Sequence, residues 1–366
     1  MEQALLVASA ERLLREQCPP AAVRAAEASP EGHDRSLWAH MAALGWPGLV
    51  LPGEVGGDDQ GALELALVAE QLGRTACSSP LVPSTASVGL PLSWCGGSLE
   101  RRLLPAMAAG TTIGAFAHLE ASGDDEWSPP TATLERRRHR WQLVGAKHLV
   151  PFAAVAGVLL VSTVLPDAEM ALVAVDAGRS GVTLARQRVL GGDPLYRVAL
   201  DVAVQDDEVV ARGEAARSVL ERSLAYATAG SLAYAAGLAA AAVEMSVAHA
   251  TSRQQFGRPI GSFQAVAHRC AEMRADADAL RLLALQAAWA LDRHQGGPDH
   301  SELAIAKAYA NVALRQVFAH AHQVHGAIGF SMEHDLQLFT RRAKAFELSL
   351  GSTQLHRRRV AARMGL

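Results

Sequence analysis

The chain has 366 residues, half of them hydrophobic and 19% charged, with 34 Lys and Arg against 37 Asp and Glu for a formal charge of -3. This composition excludes intrinsic disorder, and without a basic excess nucleic-acid binding is not expected. The length predicts two or three packed segments, and aromatic residues at 5% beside abundant alanine favour closely packed helices over an all-β scaffold.

The first residues, MEQALLVASAERLLREQ, mix charged and apolar side chains at helical spacing and lack the apolar centre and cleavage site of a signal peptide. Leu37, Met41 and Leu44, then Leu63, Leu65, Leu67, Val68 and Leu72, continue the helical period, so residues 1–110 read as an α-helical domain. Over residues 111–205 the pattern changes to short apolar runs divided by turn residues, IGAFAHL, WQLVG, GVLLVST, MALVAVD, GVTLA and RVALDVAV, which predict a small β-domain. Residues 120–140, with the basic run Arg136, Arg137, Arg138, His139 and Arg140, read as a solvated hairpin or loop between strands. Helical patterns return over residues 206–366, broken at HQGGPDH. The uncharged run SLAYATAGSLAYAAGLAAAAV is rich in Ala, Gly, Ser and Tyr, so it predicts a buried helix and no membrane insertion. Cys18, Cys77, Cys95 and Cys270 are far apart with no CxxC, which predicts neither a zinc site nor a disulfide framework and fits a reducing cytoplasm.

Motifs narrow this α+β, mainly α, reading. LWAHMAALGWPGLVLPGEVGG, then Glu70-Gln-Leu-Gly, RQQFGRPIGSFQAVAHRCAEM and QVHGAIGF follow one another in order. Together they resemble the acyl-CoA dehydrogenase family of flavoproteins over nearly the whole chain. The resemblance implies an N-terminal helical domain, a middle β-domain and a C-terminal four-helix bundle, with FAD lying across a subunit interface and an acyl-CoA thioester as substrate. It also implies an active-site glutamate that removes the α-proton while the flavin takes the hydride.

Carried over residue by residue, the resemblance makes Arg253, Phe256 and Gln323 contacts to FAD held mainly by a neighbouring subunit. Outside the motif they would read as a surface ion pair, a core aromatic and a helix-surface amide. Ala327 stands where the family commonly has glycine. The two family base positions fall on Leu350 and Ala227, neither able to accept a proton, and Glu347 is the nearby alternative. Ser352 and Gln354 fall on cofactor-proximal positions. Leu119 and Pro151 replace hydroxyl residues expected to bond the flavin ring, in Leu119-Glu120-Ala121 and Lys147-His148-Leu149-Val150-Pro151. His320, His322 and His325 are scattered around a helix by spacings of two and three, so no metal site is expected.

The losses therefore gather on the flavin-ring side, while the residues lent to a neighbour are kept. The first expectation is the base-lacking subunit of a heteromeric, sterol side-chain type dehydrogenase, partnered by a homologous subunit that carries the glutamate. The alternatives are a homo-oligomeric flavoenzyme using Glu347 and a catalytically silent acyl-thioester scaffold. The electron acceptor is not legible.

Overall fold

The computed structural model describes residues 2–121, 128–137, 140–293 and 300–366. Helices come first: α1 (Glu2–Gln17), α2 (Pro20–Ala28), α3 (Arg35–Ala43) and α4 (Ala62–Arg74). A broken helix follows, made of α5 (Leu81–Ser84), a π turn at Thr85–Gly89 and α6 (Leu90–Cys95), and then α7 (Ser98–Ala108). Asp34 caps α3 by accepting from the Ser36 and Leu37 amides. The start of α4 is capped from far away, since Asp292 accepts from the Ala62 and Leu63 amides at 2.7 and 3.0 Å.

The middle of the chain forms one sheet from β1 (Gly114–Ala117), β2 (Thr133–Arg137), β3 (Arg140–Pro151), β4 (Val158–Val164), β5 (Met170–Asp176), β6 (Val182–Gln187), β7 (Leu195–Val204) and β8 (Val209–Arg212). Its order is β6-β7-β3-β2-β4-β5-β8, with β1 parallel to β4. Strand alternation divides the buried side chains of β4 and β5 between two cores. Leu160, Leu172 and Ala174 join the helices, whereas Leu159, Val161, Val173 and Val175 join the sheet's own core. The sequence pattern stopped the strands at Gln205, but the sheet takes in β8, which pairs with β5.

The basic segment is a strand pair as far as it is described: Arg136 lies opposite Trp141, and its guanidinium sits 5.6 Å from the Trp141 ring centre. Arg138 and His139 lie outside the described residues. One end of the predicted solvated loop is not solvated, because Glu120 is buried. Residues 294–299 of HQGGPDH also lie outside the described residues.

The C-terminal part runs α8 (Gly213–Ser252), a short hairpin of β9 (Gln254–Gln255) and β10 (Arg258–Pro259), α9 (Gln264–Arg293), α10 (Ser301–His325), α11 (Leu336–Leu348) and α12 (Thr353–Arg363). Among the described residues α8 is the one helix long and apolar enough to cross a membrane, and here it is packed against α4, α9 and α10. Its small residues permit near backbone contact with α4. A Cβ on Gly73 would lie 1.9 Å from the Tyr234 carbonyl oxygen, and one on Gly237 would lie 2.1 Å from that of Glu70. Glycine at both points fuses the N- and C-terminal helices into one core.

Candidate functional site

Arg253 follows the last turn of α8, with its amide bonded to the His249 carbonyl at 2.9 Å. The hairpin beyond it turns through Phe256 and Gly257, at φ +51° and +76°. Positive φ at both central residues is the type I′ geometry that asparagine and glycine favour, so an aromatic residue there is held under strain. That strain gains no burial, because Phe256 is 91% exposed, touching Phe263 edge-on at 6.0 Å between ring centres. Arg253 is exposed as well, and among the described residues its guanidinium has no hydrogen-bond or ion-pair partner. Gln323 is exposed near the end of α10, next to Gly326, where an added Cβ would meet nothing within 4 Å. Ile328 and Phe330, 56% and 68% exposed, extend the same segment. Free guanidinium donors, an exposed ring and an open glycine turn fit the diphosphate and adenine end of the FAD implied by the motifs.

The ring-side wall is built differently. A bulge in the pairing of β3 with β7, between Lys147 and Val150, pushes Leu149 out at φ +52° with 40% exposure. The backbone donors of this segment are already spent: the His148 amide bonds the Leu119 carbonyl at 2.8 Å and the Leu149 amide bonds Gln187 Oε1 at 2.8 Å. Pro151 has no amide hydrogen, and the Leu119 and Pro151 side chains are apolar. The His148 and Leu149 amides and Pro151 thus offer a flavin ring no backbone donor, and Leu119 and Pro151 offer no side-chain donor, so this wall fits the ring less readily than the edge fits the diphosphate.

Directly behind the wall lies a buried ion pair. Lys147, fully buried, donates to Glu120, to the His118 carbonyl at 3.2 Å and to Ser162 Oγ at 3.2 Å. Glu120 also accepts from the Thr131 amide and hydroxyl and from the Ala132 amide. Burial pushes the Glu120 carboxyl up, but Lys147, Thr131 and the Ala132 amide together hold it down to about 2. Burial likewise pushes the Lys147 ammonium down, against the raising effect of Glu120.

Leu350 stands in the turn between α11 and α12 at φ +55°, its side chain against the main core. The turn is pinned by buried polar groups: His356 Nε2 donates to the Leu350 carbonyl at 2.7 Å, and Asn311 Nδ2 donates to the Gly351 carbonyl at 3.4 Å. Lys307, fully buried, bridges Asn311 Oδ1 at 2.6 Å and the Phe346 carbonyl at 2.9 Å. These groups hold in place a turn of Ser349, Leu350, Gly351 and Ser352, which carries no carboxylate. Ala227 is half-buried on α8. A cavity of about 450 Å³ between α8, α10 and α12 is lined by Ala225, Thr228, His356 and Arg359, but by neither Ala227 nor Leu350.

The other residues singled out in the sequence take ordinary places. Glu347 accepts from Arg315 and Lys344, both at 2.9 Å. Ser352 caps α12 by accepting from the Leu355 amide at 3.2 Å, and Gln354 is exposed on that helix. His320 accepts from Arg269 at 2.9 Å and lies 3.3 Å from Glu272, while His322 is bonded to Thr340 at 2.9 Å. The pinning groups Lys307, Asn311 and His356 escaped the sequence reading, since a buried lysine on an alanine-rich helix has no local signature.

Comparison with known proteins agrees with this layout at both ends of the chain. Residues 1–111 match the family described as acyl-CoA dehydrogenase, N-terminal domain, and residues 215–365 match acyl-CoA dehydrogenase, C-terminal domain. The acyl-CoA dehydrogenase IpdE2 of Mycobacterium tuberculosis is 30% identical over 360 residues, covering 97% of this chain and 92% of that protein. Among solved structures, the ChsE4-ChsE5 complex from Mycobacterium tuberculosis matches with a TM-score of 0.90 at 25% identity, over 99% of this chain and 97% of that one. A variant of the Tcur3481-Tcur3483 steroid ACAD matches with a TM-score of 0.89 at 27% identity, over 100% of this chain and 98% of that one.

Proposed function

The chain belongs to the acyl-CoA dehydrogenase family of FAD-dependent oxidoreductases, and we propose that it works there as the base-lacking subunit of a heteromeric acyl-CoA dehydrogenase. The observation that carries this reading is the contrast between two surfaces. Arg253 and the strained, 91% exposed Phe256 are held ready with little to engage in their own chain. Leu350 and Ala227 meanwhile are aliphatic at the two positions where the motif resemblance puts the base.

Bound FAD supplies the electron-pair acceptor for α,β-dehydrogenation of an acyl-CoA thioester. This chain's part is to complete the cofactor site of its neighbour. Arg253 presents a planar fork of donors to phosphate oxygens, Phe256 offers a ring face to the adenine end, and Gln323 adds an amide. The α-proton has no acceptor at Leu350 or Ala227, so it passes to a glutamate of the homologous partner. Glu347, committed to Arg315 and Lys344, supports this reading over one in which it serves as the base. The two-chain names of the ChsE4-ChsE5 and Tcur3481-Tcur3483 relatives support a heteromer, and the steroid label of the latter favours a bulky, sterol-like acyl group.

The test is the flavin spectrum of the chain purified alone and after co-expression with a homologue that carries the glutamate. Expected is little flavin alone, because Leu119 and Pro151 supply no hydroxyl to the ring, each lost bond to a buried polar atom costing about 1–3 kcal/mol, and stoichiometric flavin in the complex. Tightly held, stoichiometric flavin in the solitary chain would overturn the reading.

A further inference from the structure

Three imidazoles meet where the end of α8 touches the end of α10. His249 stacks on His325 with ring centres 4.8 Å apart and planes 27° from parallel, and His325 meets His334 edge-on at 5.0 Å. His325 is 6% exposed, and its Nδ1 donates to the Ala321 carbonyl at 2.8 Å. His249 precedes Arg253 by one helical turn, and His325 follows Gln323 by two residues. The stack is therefore a physical link between the two segments that form the exposed edge. We propose that this imidazole stack is a positioning element: it keeps Arg253 in register with Gln323 while its rings are neutral and lets them part when it is protonated. The proposal rests on the reading of that edge as the part of a neighbour's FAD site supplied by this chain.

The charged surroundings favour such a release. From α8 the stack faces His249 and Arg253, and from α10 itself His322. The segment before α11 brings His334, flanked by Glu333 and Asp335. Asp335 is paired with Arg24 at 2.7 Å and Glu333 is bonded by Ser331, while on α11 the neutral Thr340 is bonded to His322 and the neutral Gln337 donates to the Gly329 carbonyl. Among the described residues no carboxylate pairs with His249, His325 or His334. A second proton on the stack would thus meet another cation with nothing to offset it. His334 Nδ1 also accepts from the Leu336 amide at 3.2 Å, a bond that only the unprotonated nitrogen makes. Burial lowers the pKa of His249, with Arg253 adding to it, and burial lowers those of His322 and His325. The native chain then binds fewer protons than the unfolded one as pH falls below the ordinary histidine value of about 6.5. The junction's stability is accordingly full above that value and declines on acidification.

Two measurements on the same proteins test this. Amide hydrogen exchange of the chain, corrected for the intrinsic pH dependence, reads protection of residues 249–260 and 323–334. Protection should fall roughly tenfold between about pH 7.5 and 5.5 in the wild type, and by less than about twofold in His325→Phe, which keeps a ring but cannot be protonated. His325→Gln should flatten the profile in the same way and serves if the phenylalanine variant does not fold. In the complex with the homologous partner, the ratio of flavin retained at the two pH values should drop for the wild type and stay level for the variants. An acid loss as large in the variants as in the wild type overturns the proposal, as does lost protection without lost flavin. The exchange measurement needs no flavin, so its failure while Arg253→Ala still costs flavin condemns the stack alone. The converse pattern condemns the reading of the edge.

Discussion

Two surfaces of this chain carry the residues that the family resemblance aligns with flavin contacts, and they differ in what they leave available. At the edge, the Arg253 guanidinium has no hydrogen-bond or ion-pair partner among the described residues, and Phe256 holds a strained backbone while 91% exposed. At the ring-side wall, the His148 and Leu149 amides are consumed by Leu119 and Gln187, and Pro151 has none to give. Left-handed backbone at an aromatic residue costs roughly 1–2 kcal/mol, a cost that folding alone does not require when the side chain stays in solvent. The difference teaches that engaged and unengaged donors are segregated in space: the His148 and Leu149 amides of the wall are bonded within the chain, while the Arg253 guanidinium at the edge has no partner among the described residues.

The largest expected effect tests whether the wall is now purely structural. Lys147 is fully buried, and replacing it with methionine would leave the Glu120 carboxylate without its cation. Lys147→Met should therefore cost about 3–5 kcal/mol in urea unfolding. The wild type should also show an acid limb absent from the variant. The Glu120 pKa is held down to about 2, so its contribution is present above the usual carboxyl range and lost as pH falls towards that value. A loss below about 1 kcal/mol would mean that the pair is solvated and the wall open.

Next comes the edge itself. Arg253→Ala should lower the flavin content of the complex by about ten- to hundredfold in affinity, or roughly 1.5–3 kcal/mol, since a charge-assisted contact to phosphate is removed. An exposed arginine contributes little to its own core, so circular dichroism of the isolated chain should be unchanged. Arg253→Lys should recover only part of the loss, because an ammonium lacks the planar fork. Equal flavin occupancy in the wild type and the alanine variant, with the complex still assembled, would erase the contrast between edge and wall.

How much of this contrast was legible beforehand depended on how local its causes are. The Arg253, Phe256 and Gln323 segments were visible because each sits in a contiguous motif. The burial of Lys147 also had a signal, since position 147 is in phase with Trp141 and Leu143 on the inward face of β3. The reading of residues 120–140 as a solvated loop concealed its partner Glu120. The strand β8 was missed because Val209–Arg212 is short and follows the acidic run Asp206–Glu208, which reads as a turn. The polar groups pinning the Leu350 turn and the histidine stack could not be read locally. Lys307 meets Phe346 across 39 positions, and the stack joins His249, His325 and His334 from three segments. Sequence proximity instead grouped His320 with His322 and His325, although His320 is engaged by Arg269.

The smallest expected effect sharpens the comparison by testing Glu347, the carboxylate three residues before Leu350 in the sequence. That spacing would bring both to one helical face if α11 continued. It does not continue: α11 ends at Leu348, Leu350 takes left-handed backbone, and the Glu347 oxygens face Arg315 and Lys344. Both cations are largely in solvent, with side chains 63% and 45% exposed, so the pairs are screened. Glu347→Gln should change stability by about 0–1 kcal/mol and leave the turnover of the complex within about twofold of the wild type. A general base would behave otherwise, because its removal typically costs about 10²–10⁴-fold in rate. Measuring acyl-CoA oxidation by the assembled complex with this one substitution separates the two outcomes. A loss on the catalytic scale would place the proton acceptor in this chain and end its description as the subunit without a base.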